Sequence, residues 1–353
     1  MRSHFFGVDL CLPADDVGGP AVKGVLGDKG LRELNETGFV RTGIVLPGSV
    51  VSRVYEMYRR MPASDSNWSF FELNSLANEV QGWRGTARQL VRKWAPWLVH
   101  FRVRKTIYDK SIYGSSDALP IVLRECLSQG LAGYLGDIPL LVGHDIYLEH
   151  DRHKSTFGFH EDGFGWDIFF QTGDDLSLYI PLQDLTEGTG GRLVVERHAN
   201  KSVRYGERNE MMRRFAAYCR EHEAVDHRGL VTREAVQESP NRHIIARELV
   251  RLIRQRGSLP TPSAEVMHPI DAVEGEVILF NNKCFHNVEA WNLDAHRAIY
   301  IVRCFPVYDL GLAPPSTFLN DVPCNRFVID GCRGTLRAIN CDMDMPHFVP
   351  VPH

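Results

Sequence analysis

The 353-residue chain lacks several features that would assign it to a specialised class of protein. Its formal net charge of −4 gives no excess of basic side chains, so we expect neither nucleic acid nor an anionic membrane as a partner. Apolar runs fall short of the ~20 residues that a bilayer-spanning helix needs. The first residues, "MRSHFFGVDLCLPADD", lack the apolar core and the cleavage site of a secretory signal.

The eight cysteines form no C-x-x-C pair, so the sequence indicates neither a zinc ribbon nor a redox motif. Scattered single cysteines suit a reducing compartment, and we expect most of them to be small core residues. A hydrophobic content of 44% supports a full-sized core. These features predict a globular, cytoplasmic protein, and they do not determine its oligomeric state.

The pattern of residues changes near residue 138, and we predict that the whole chain forms a single domain. Residues 1–137 are predicted to be mostly helical, and 31–61 to form a short helix, a strand, a turn and a second helix with Ser49 as its N-cap. Residues 307–353 look like an irregular C-terminal tail. Between them, runs rich in Val, Ile, Leu and Tyr predict strands at 139–150, 176–184, 191–196, 275–281 and 297–305.

Strands bounded in this way predict a mainly β fold with flanking helices (α+β), built on a double-stranded β-helix core of the jelly-roll or cupin type over 138–306. A charged insert at 201–258 interrupts the strands and has amphipathic helical character. Such an insert is either a lid or a solvated helical bulge.

The stretch "FGFHEDGFGWD" places His160 and Asp162 two positions apart among aromatic residues and glycines. In a strand both side chains would project from one face, where a buried carboxylate is costly unless a cation or a hydrogen bond compensates it. A third ligand has to come from elsewhere, and His286 follows the strand "GEVILFN". Two histidines and one carboxylate with open positions are typical of non-haem Fe(II) oxygenases. Eleven residues further, Arg297 could bind a dicarboxylate.

This order of motifs resembles the phytanoyl-CoA dioxygenase-like (PhyH) family of Fe(II)/2-oxoglutarate-dependent oxygenases. The likeness covers most of the chain. It includes the opening "NETGFVRTGIVLPGSVVSRVYEMYRRM", the hairpin "LYIPLQDLTEGTGGRLVVERHANKS" and the closing "GEVILFNNKCFHNVEAWNLDAHRAIYIVRCF".

The resemblance implies Fe(II), 2-oxoglutarate and O₂ as metal and cosubstrates. By position, the iron ligands are His160, Asp162 and His286, and Arg297 anchors the distal carboxylate of 2-oxoglutarate, with Tyr147 and Tyr179 as further cosubstrate contacts. Phe164 and Trp166 are candidates to line the substrate pocket. Arg303 lies on the same strand face as Arg297 and is either the true anchor or the partner of a substrate carboxylate.

The implied reaction oxidises an unactivated C–H bond of a small molecule, such as an amino acid, a small acid or a specialised metabolite, with release of succinate and CO₂. Hydroxylation is the expected outcome because halogenating relatives replace the carboxylate at position 162 by a small residue. Desaturation, oxidative cyclisation and epimerisation remain alternatives. Two alternatives from other functional classes also remain. One is a non-redox metal hydrolase or isomerase, and the other is a non-catalytic barrel that binds 2-oxoglutarate.

Simpler explanations exist for each residue. His160 and Asp162 could be a buried hydrogen-bonded pair, and Arg297 could form a structural ion pair. A second cluster that contains His144, Asp145 and His150 resembles a metal site by composition, but we expect it to lie on a solvated outer face.

Overall fold

The computed structural model describes residues 3–5, 8–10, 25–61, 110–113, 118–150, 159–160, 176–197, 203–225, 231, 233–281, 284–289, 297–306, 317–318, 322–323, 327–340 and 347–350, together with positions 83, 87, 90 and 94. Helices are α1 (Asp28–Thr37), α2 (Gly48–Arg60), α3 (Ala118–Ser128), α4 (Val203–Glu221), α5 (Arg233–Glu238) and α6 (Arg242–Gly257).

Strands are β1 (Ser3–Phe5), β2 (Val8–Leu10), β3 (Phe39–Val45), β4 (Lys110–Tyr113), β5 (Leu140–His150), β6 (Leu176–Pro181), β7 (Leu193–Glu196), β8 (Met267–Ile270), β9 (Glu276–Phe280), β10 (His286–Val288), β11 (Arg297–Pro306), β12 (Thr317–Phe318), β13 (Val322–Pro323), β14 (Phe327–Asp330), β15 (Thr335–Asn340) and β16 (His347–Pro350).

Two antiparallel sheets form the centre of the protein. The large sheet has the order β16-β15-β14-β5-β11-β6-β9-β3, with β4 also paired to β5, and the small sheet has the order β10-β7-β8. Between β5 and β11 the chain contributes to both sheets, with β5, β6, β9 and β11 in the large one and β7, β8 and β10 in the small one, as in a double-stranded β-helix. The predicted fold class is therefore confirmed by the strand order.

The large sheet is buried on both faces. Its inner face packs against the small sheet through a cluster that includes Phe39, Tyr179, Phe280, Ile299 and Ile301. Its outer face packs against α2 and α3 through a second cluster of side chains. Because both faces of the central strands are covered, the burial pattern of β6 shows no alternation.

The five strands that the sequence predicts all occur, within a few residues of their expected bounds. The predicted helix–strand–helix order of 31–61 is confirmed, but α2 begins at Gly48 with Pro47 at the cap position, so the prediction of Ser49 as N-cap is wrong. The segment after 306 is not irregular throughout, because β14, β15 and β16 extend the large sheet.

The insert is helical, as predicted, and has a hydrophobic core of its own. Side chains of α4, α5 and α6 bury Phe215, Cys219, Val236, Ile245 and Leu249 against one another. The insert leaves the barrel after β7 and returns before β8. These two strands pair with each other, with Glu196 opposite Met267, so the insert is a long connection between the two strands of a hairpin.

Four cysteines of the described ranges, Cys126, Cys219, Cys284 and Cys304, are buried thiols, as expected for small core residues. Burial raises the pKa of the Cys126 and Cys219 thiols to about 12. Across the part of the chain that the structure describes, no helix is both long enough and apolar enough to span a bilayer.

Candidate metal and cosubstrate site

Two histidines that are 126 positions apart in the sequence meet at the edge of the small sheet. His160 and His286 form an isolated antiparallel bridge, with each backbone N–H 2.8 Å from the other residue's carbonyl oxygen. Their ring centroids are 4.5 Å apart. His286 begins β10, where it pairs with Val195 of the inner cluster, and it is buried, with 7% exposed. The two imidazoles therefore lie side by side, and that of His286 is buried on the face of the small sheet that carries Val195.

A hydrogen bond fixes the tautomer of His286. Its Nδ1 lies 2.8 Å from the carbonyl oxygen of Cys284, and because a carbonyl can only accept, Nδ1 carries the proton. The lone pair of the neutral ring is then on Nε2. Metal-binding histidines commonly donate their second ring N–H to a carbonyl in this way, which fixes the orientation of the ligating nitrogen. The local chemistry of His286 thus fits a metal ligand.

The predicted third ligand, Asp162, lies outside the described residues, as do the predicted pocket residues Phe164 and Trp166. Among the residues that the structure does describe, no group of three or more His, Cys, Asp or Glu side chains forms a metal cluster. His160 and His286 supply two of the three predicted ligands, and the role of Asp162 stays a prediction.

Arg297 and Tyr179 form a hydrogen-bonded pair inside the barrel. The guanidinium is 1% exposed, its Nη2 donates to the Tyr179 hydroxyl at 2.8 Å, and its Nε donates to the carbonyl oxygen of Gly191 at 2.8 Å. Gly190 and Gly191 both have positive φ, 71° and 69°, a conformation that glycine adopts without steric cost. This diglycine turn brings the Gly191 carbonyl to the arginine, and it is a contact that the sequence analysis missed.

Tyr179 remains a neutral phenol in this position. Burial raises its pKa above the ordinary value of 10.0, and the neighbouring Arg297 charge offsets only part of that effect. The Tyr179 ring also packs edge-on against Phe280, at a centroid distance of 6.2 Å, and Phe280 in turn packs edge-on against His286 at 5.6 Å. A chain of side-chain contacts therefore connects the arginine pair with the histidine pair through the barrel interior.

Tyr147, predicted as a cosubstrate contact, lies elsewhere. On β5 the inner face carries Ile146 and Leu148, so Tyr147 points to the outer face. There its ring stacks on Tyr58 of α2, with centroids 4.9 Å apart, and its hydroxyl donates to Glu149 at 3.1 Å. The structure thus separates Tyr147 from Arg297 and Tyr179, and the prediction is corrected.

The sequence analysis also predicted that the cluster containing Asp145 lies on a solvated outer face. For Asp145 this prediction is wrong. Asp145 is 1% exposed, and its Oδ2 accepts hydrogen bonds from the hydroxyls of Tyr58 and Tyr300, the latter at 2.7 Å. A helix covers this face of the sheet, and the two phenols both donate to Oδ2 of the carboxylate. The side chains of His144 and His150 lie outside the described residues.

His268 is a polar residue of the small sheet that the sequence analysis missed. It pairs with Val195, which also pairs with His286, so both histidines stand in one row across the sheet. Its ring stacks on Phe39 at 5.6 Å, and Arg197 Nη2 donates to its Nδ1 at 2.6 Å. Burial, with Arg197 as the next contribution, lowers its pKa below 6.5. Its strand, β8, has only four residues and contains a proline, so the sequence analysis did not recognise it.

Comparison with known proteins finds similarity only to solved structures. No protein-family model matches the chain, and no curated protein matches it. Among solved structures, the carbocyclase SnoK from nogalamycin biosynthesis is 14% identical, with a TM-score of 0.38 over 81% of this chain and 87% of that one. HygX from Streptomyces hygroscopicus, with nickel and 2-oxoglutarate bound, is 11% identical, with a TM-score of 0.40 over 80% of this chain and 88% of that one.

Proposed function

We propose that the protein is an Fe(II)- and 2-oxoglutarate-dependent oxygenase, similar to the phytanoyl-CoA dioxygenase-like family, that hydroxylates a C–H bond of a small molecule. The observation that carries the proposal is the meeting of His160 and His286 inside a barrel that also buries Arg297. Groups suited to ligation of a metal and to binding of a carboxylate are then present in the same barrel.

His160 and His286, with Asp162 as the proposed third ligand, would hold the metal. When bound, Fe(II) with 2-oxoglutarate and O₂ supplies the oxidising chemistry, with release of succinate and CO₂. The hydrogen bond from His286 to the Cys284 carbonyl keeps the ring in one tautomer and orientation. The apolar lining from Phe280, Ile278 and Ile301 excludes water from this region.

Arg297 and Tyr179 would bind the distal carboxylate of 2-oxoglutarate. The Gly191 carbonyl and the Tyr179 oxygen both accept from the guanidinium, so they fix its plane. Because the Tyr179 oxygen already accepts that hydrogen bond, its own proton can be donated to a carboxylate oxygen. Burial of both groups strengthens the attraction between the guanidinium and an anion relative to water.

The alternatives from other classes make different demands on the same residues. A non-redox hydrolase or isomerase has no need for the Arg297–Tyr179 pair, and its turnover would not depend on O₂. A non-catalytic barrel would bind 2-oxoglutarate without converting it to succinate. The buried arginine pair favours the first proposal over the hydrolase.

Anaerobic absorption spectroscopy tests the proposal. Protein with Fe(II) should develop a weak visible charge-transfer band on addition of 2-oxoglutarate. The Arg297→Leu variant should require far more 2-oxoglutarate for the same band, whereas Arg41→Leu, a change at a half-exposed surface arginine, should titrate as wild type. If no band forms, or if Arg297→Leu binds as tightly as wild type, the proposal fails.

The Asp162→Ala variant tests whether Asp162 is a metal ligand or a residue that the protein needs only for folding. We expect this variant to lose succinate formation and to bind Fe(II) more weakly, because one charged ligand is removed. Its circular dichroism should match that of wild type. Full turnover in Asp162→Ala would show that this carboxylate is not a metal ligand.

A further inference from the structure

A second arginine, Arg303, faces the barrel interior from the same strand as Arg297. Ile299 and Ile301 of β11 belong to the inner cluster, and Arg303 continues this alternation, with 7% of its surface exposed. The register of β11 is regular from 297 to 303 and shifts only after Arg303. The side chain is therefore held within a mostly apolar interior by a continuous strand.

The strand pairing places Arg303 at the level of the histidine pair. Arg303 pairs with Ser177 of β6, and Ser177 pairs with Phe280 of β9, whose ring contacts His286. Arg297 lies six residues earlier on β11, roughly 20 Å away at the rise of an antiparallel strand. The backbones of the two arginines therefore stand at different heights of the barrel, and the Arg297 guanidinium reaches from its position to the Tyr179 hydroxyl.

Ser177 adds a hydroxyl to this position. It is fully buried on the inner face of β6 and lies directly across from Arg303, a placement that brings the two Cβ atoms to about 5 Å.

From this placement we infer that Arg303, with Ser177, binds an anionic group of the organic substrate, a carboxylate or a phosphate. The inference rests on the proposed function, and it narrows the substrate to acids. A guanidinium matches both anions with paired hydrogen bonds, and an apolar surrounding strengthens the attraction. Arg297 serves the cosubstrate, and Arg303 serves the molecule that is oxidised.

Anion binding beside the metal can be measured without knowledge of the substrate. Protein loaded anaerobically with Fe(II) and 2-oxoglutarate is titrated with inorganic phosphate or acetate at constant ionic strength, with chloride as control. We expect both oxyanions to perturb the charge-transfer band of the wild type. In Arg303→Gln the same band should form with 2-oxoglutarate, but the apparent affinity for phosphate should fall about tenfold or more. Arg41→Gln is the matched surface control and should respond as wild type.

The metal-free protein gives an independent readout. Phosphate should raise the Tm of wild type and of Arg41→Gln by more than it raises that of Arg303→Gln. An equal response of Arg303→Gln to phosphate in both measurements, or no response of the wild type, overturns the inference. A loss of 2-oxoglutarate binding in Arg303→Gln also overturns it, because Arg303 would then serve the cosubstrate. If wild type forms no band at all, the proposed function itself fails.

A further experiment tests whether the anionic group that Arg303 binds belongs to the substrate or to the cosubstrate. Carboxylic acids and phosphate monoesters are compared with their methyl esters or parent alcohols for stimulation of succinate release. Acids should stimulate wild type more than their neutral counterparts, and Arg303→Gln should lose this preference. Stimulation by the neutral compounds alone would contradict the inference.

Discussion

Tyr179 and Tyr147 carry the same functional group on opposite faces of the large sheet, so they form a matched pair for a test of cosubstrate binding. Tyr179→Phe removes one hydrogen bond to the Arg297 guanidinium and one donor for a bound carboxylate. We expect 2-oxoglutarate binding to weaken about tenfold or more, since hydrogen bonds to charged groups contribute about 1.5 to 3 kcal/mol. Titration of the charge-transfer band measures the change.

Tyr147→Phe is the control for that experiment. It removes the hydroxyl that donates to Glu149 on the helix-covered face and leaves the barrel interior unchanged. Its affinity for 2-oxoglutarate should equal that of wild type. Equal weakening in both variants would indicate a general effect on the sheet rather than a contact with the cosubstrate.

The buried phenols on the outer face also predict how stability changes with pH. Burial, followed by the charge of Asp145, raises the pKa of Tyr300 well above 10.0, and burial likewise raises the pKa of Tyr147. The folded protein therefore holds these protons more tightly than the unfolded chain does. The contribution is complete below about pH 10 and is lost as the pH rises above it, where unfolded tyrosines ionise.

Urea unfolding between pH 8 and pH 11 checks this expectation. The free energy of unfolding should fall steeply above about pH 10 in wild type and less steeply in Tyr300→Phe. Identical slopes in the two proteins would show that Tyr300 ionises normally in the folded state.

At this level the structure brings His160 and His286 together and buries Arg297, whereas it places Tyr147 and Asp145 differently from the prediction. His160, His286 and Arg297 were identifiable because their residue types and spacing are tied to particular strands. Tyr147 and Asp145 were misplaced because strand parity shows which residues share a face, not which face is inside. Since the large sheet is covered on both sides, hydrophobicity gives no further indication.

Among the secondary-structure elements, the helical insert is the most independent of the barrel. Its core is built from side chains of α4, α5 and α6. Its two ends are adjacent, because the Arg197 N–H donates to the Val266 carbonyl at 2.8 Å beside the β7–β8 pairing. A short linker can therefore span the same points.

Replacement of residues 199–263 by a short Gly/Asn linker should leave a folded barrel. We expect the helical circular dichroism signal to fall while cooperative thermal unfolding and the band with Fe(II) and 2-oxoglutarate persist. Loss of cooperative unfolding would show that the insert is required to cover the barrel.

The elements that the sequence did not predict are the short and the late ones. β10 has three residues and β8 has four, too few for an alternating pattern to stand out. β14, β15 and β16 lie among proline- and cysteine-containing segments that resemble a tail. Their partners, β5 and one another, are long-range or hairpin pairings that local patterns do not specify.

At the scale of the whole molecule, the proposed function predicts that Fe(II) and 2-oxoglutarate stabilise the folded protein. Ligands that bind only the folded state stabilise it by mass action, by about 2.7 kcal/mol at a concentration of 100 times Kd. Fe(II) or a redox-inert substitute should raise the Tm, and 2-oxoglutarate should raise it further. A chelator should reverse both increments.

Arg297→Leu separates the two increments. This variant should keep the rise in Tm with metal and lose the additional rise with 2-oxoglutarate, because the proposed metal ligands are unchanged and only the anchor for the distal carboxylate is removed. Retention of the 2-oxoglutarate increment in the variant would contradict the assignment of Arg297.

The continuous strand that carries both interior arginines would act as a molecular ruler. Six residues of strand separate the Cα atoms of the two arginines, and the pairing register is unbroken between them. With the acidic group of a substrate bound at Arg303, the distance of each carbon from that group would determine which carbon is oxidised. Members of a homologous series would then react at the same position from the head, and longer tails would extend beyond it without shifting the point of attack.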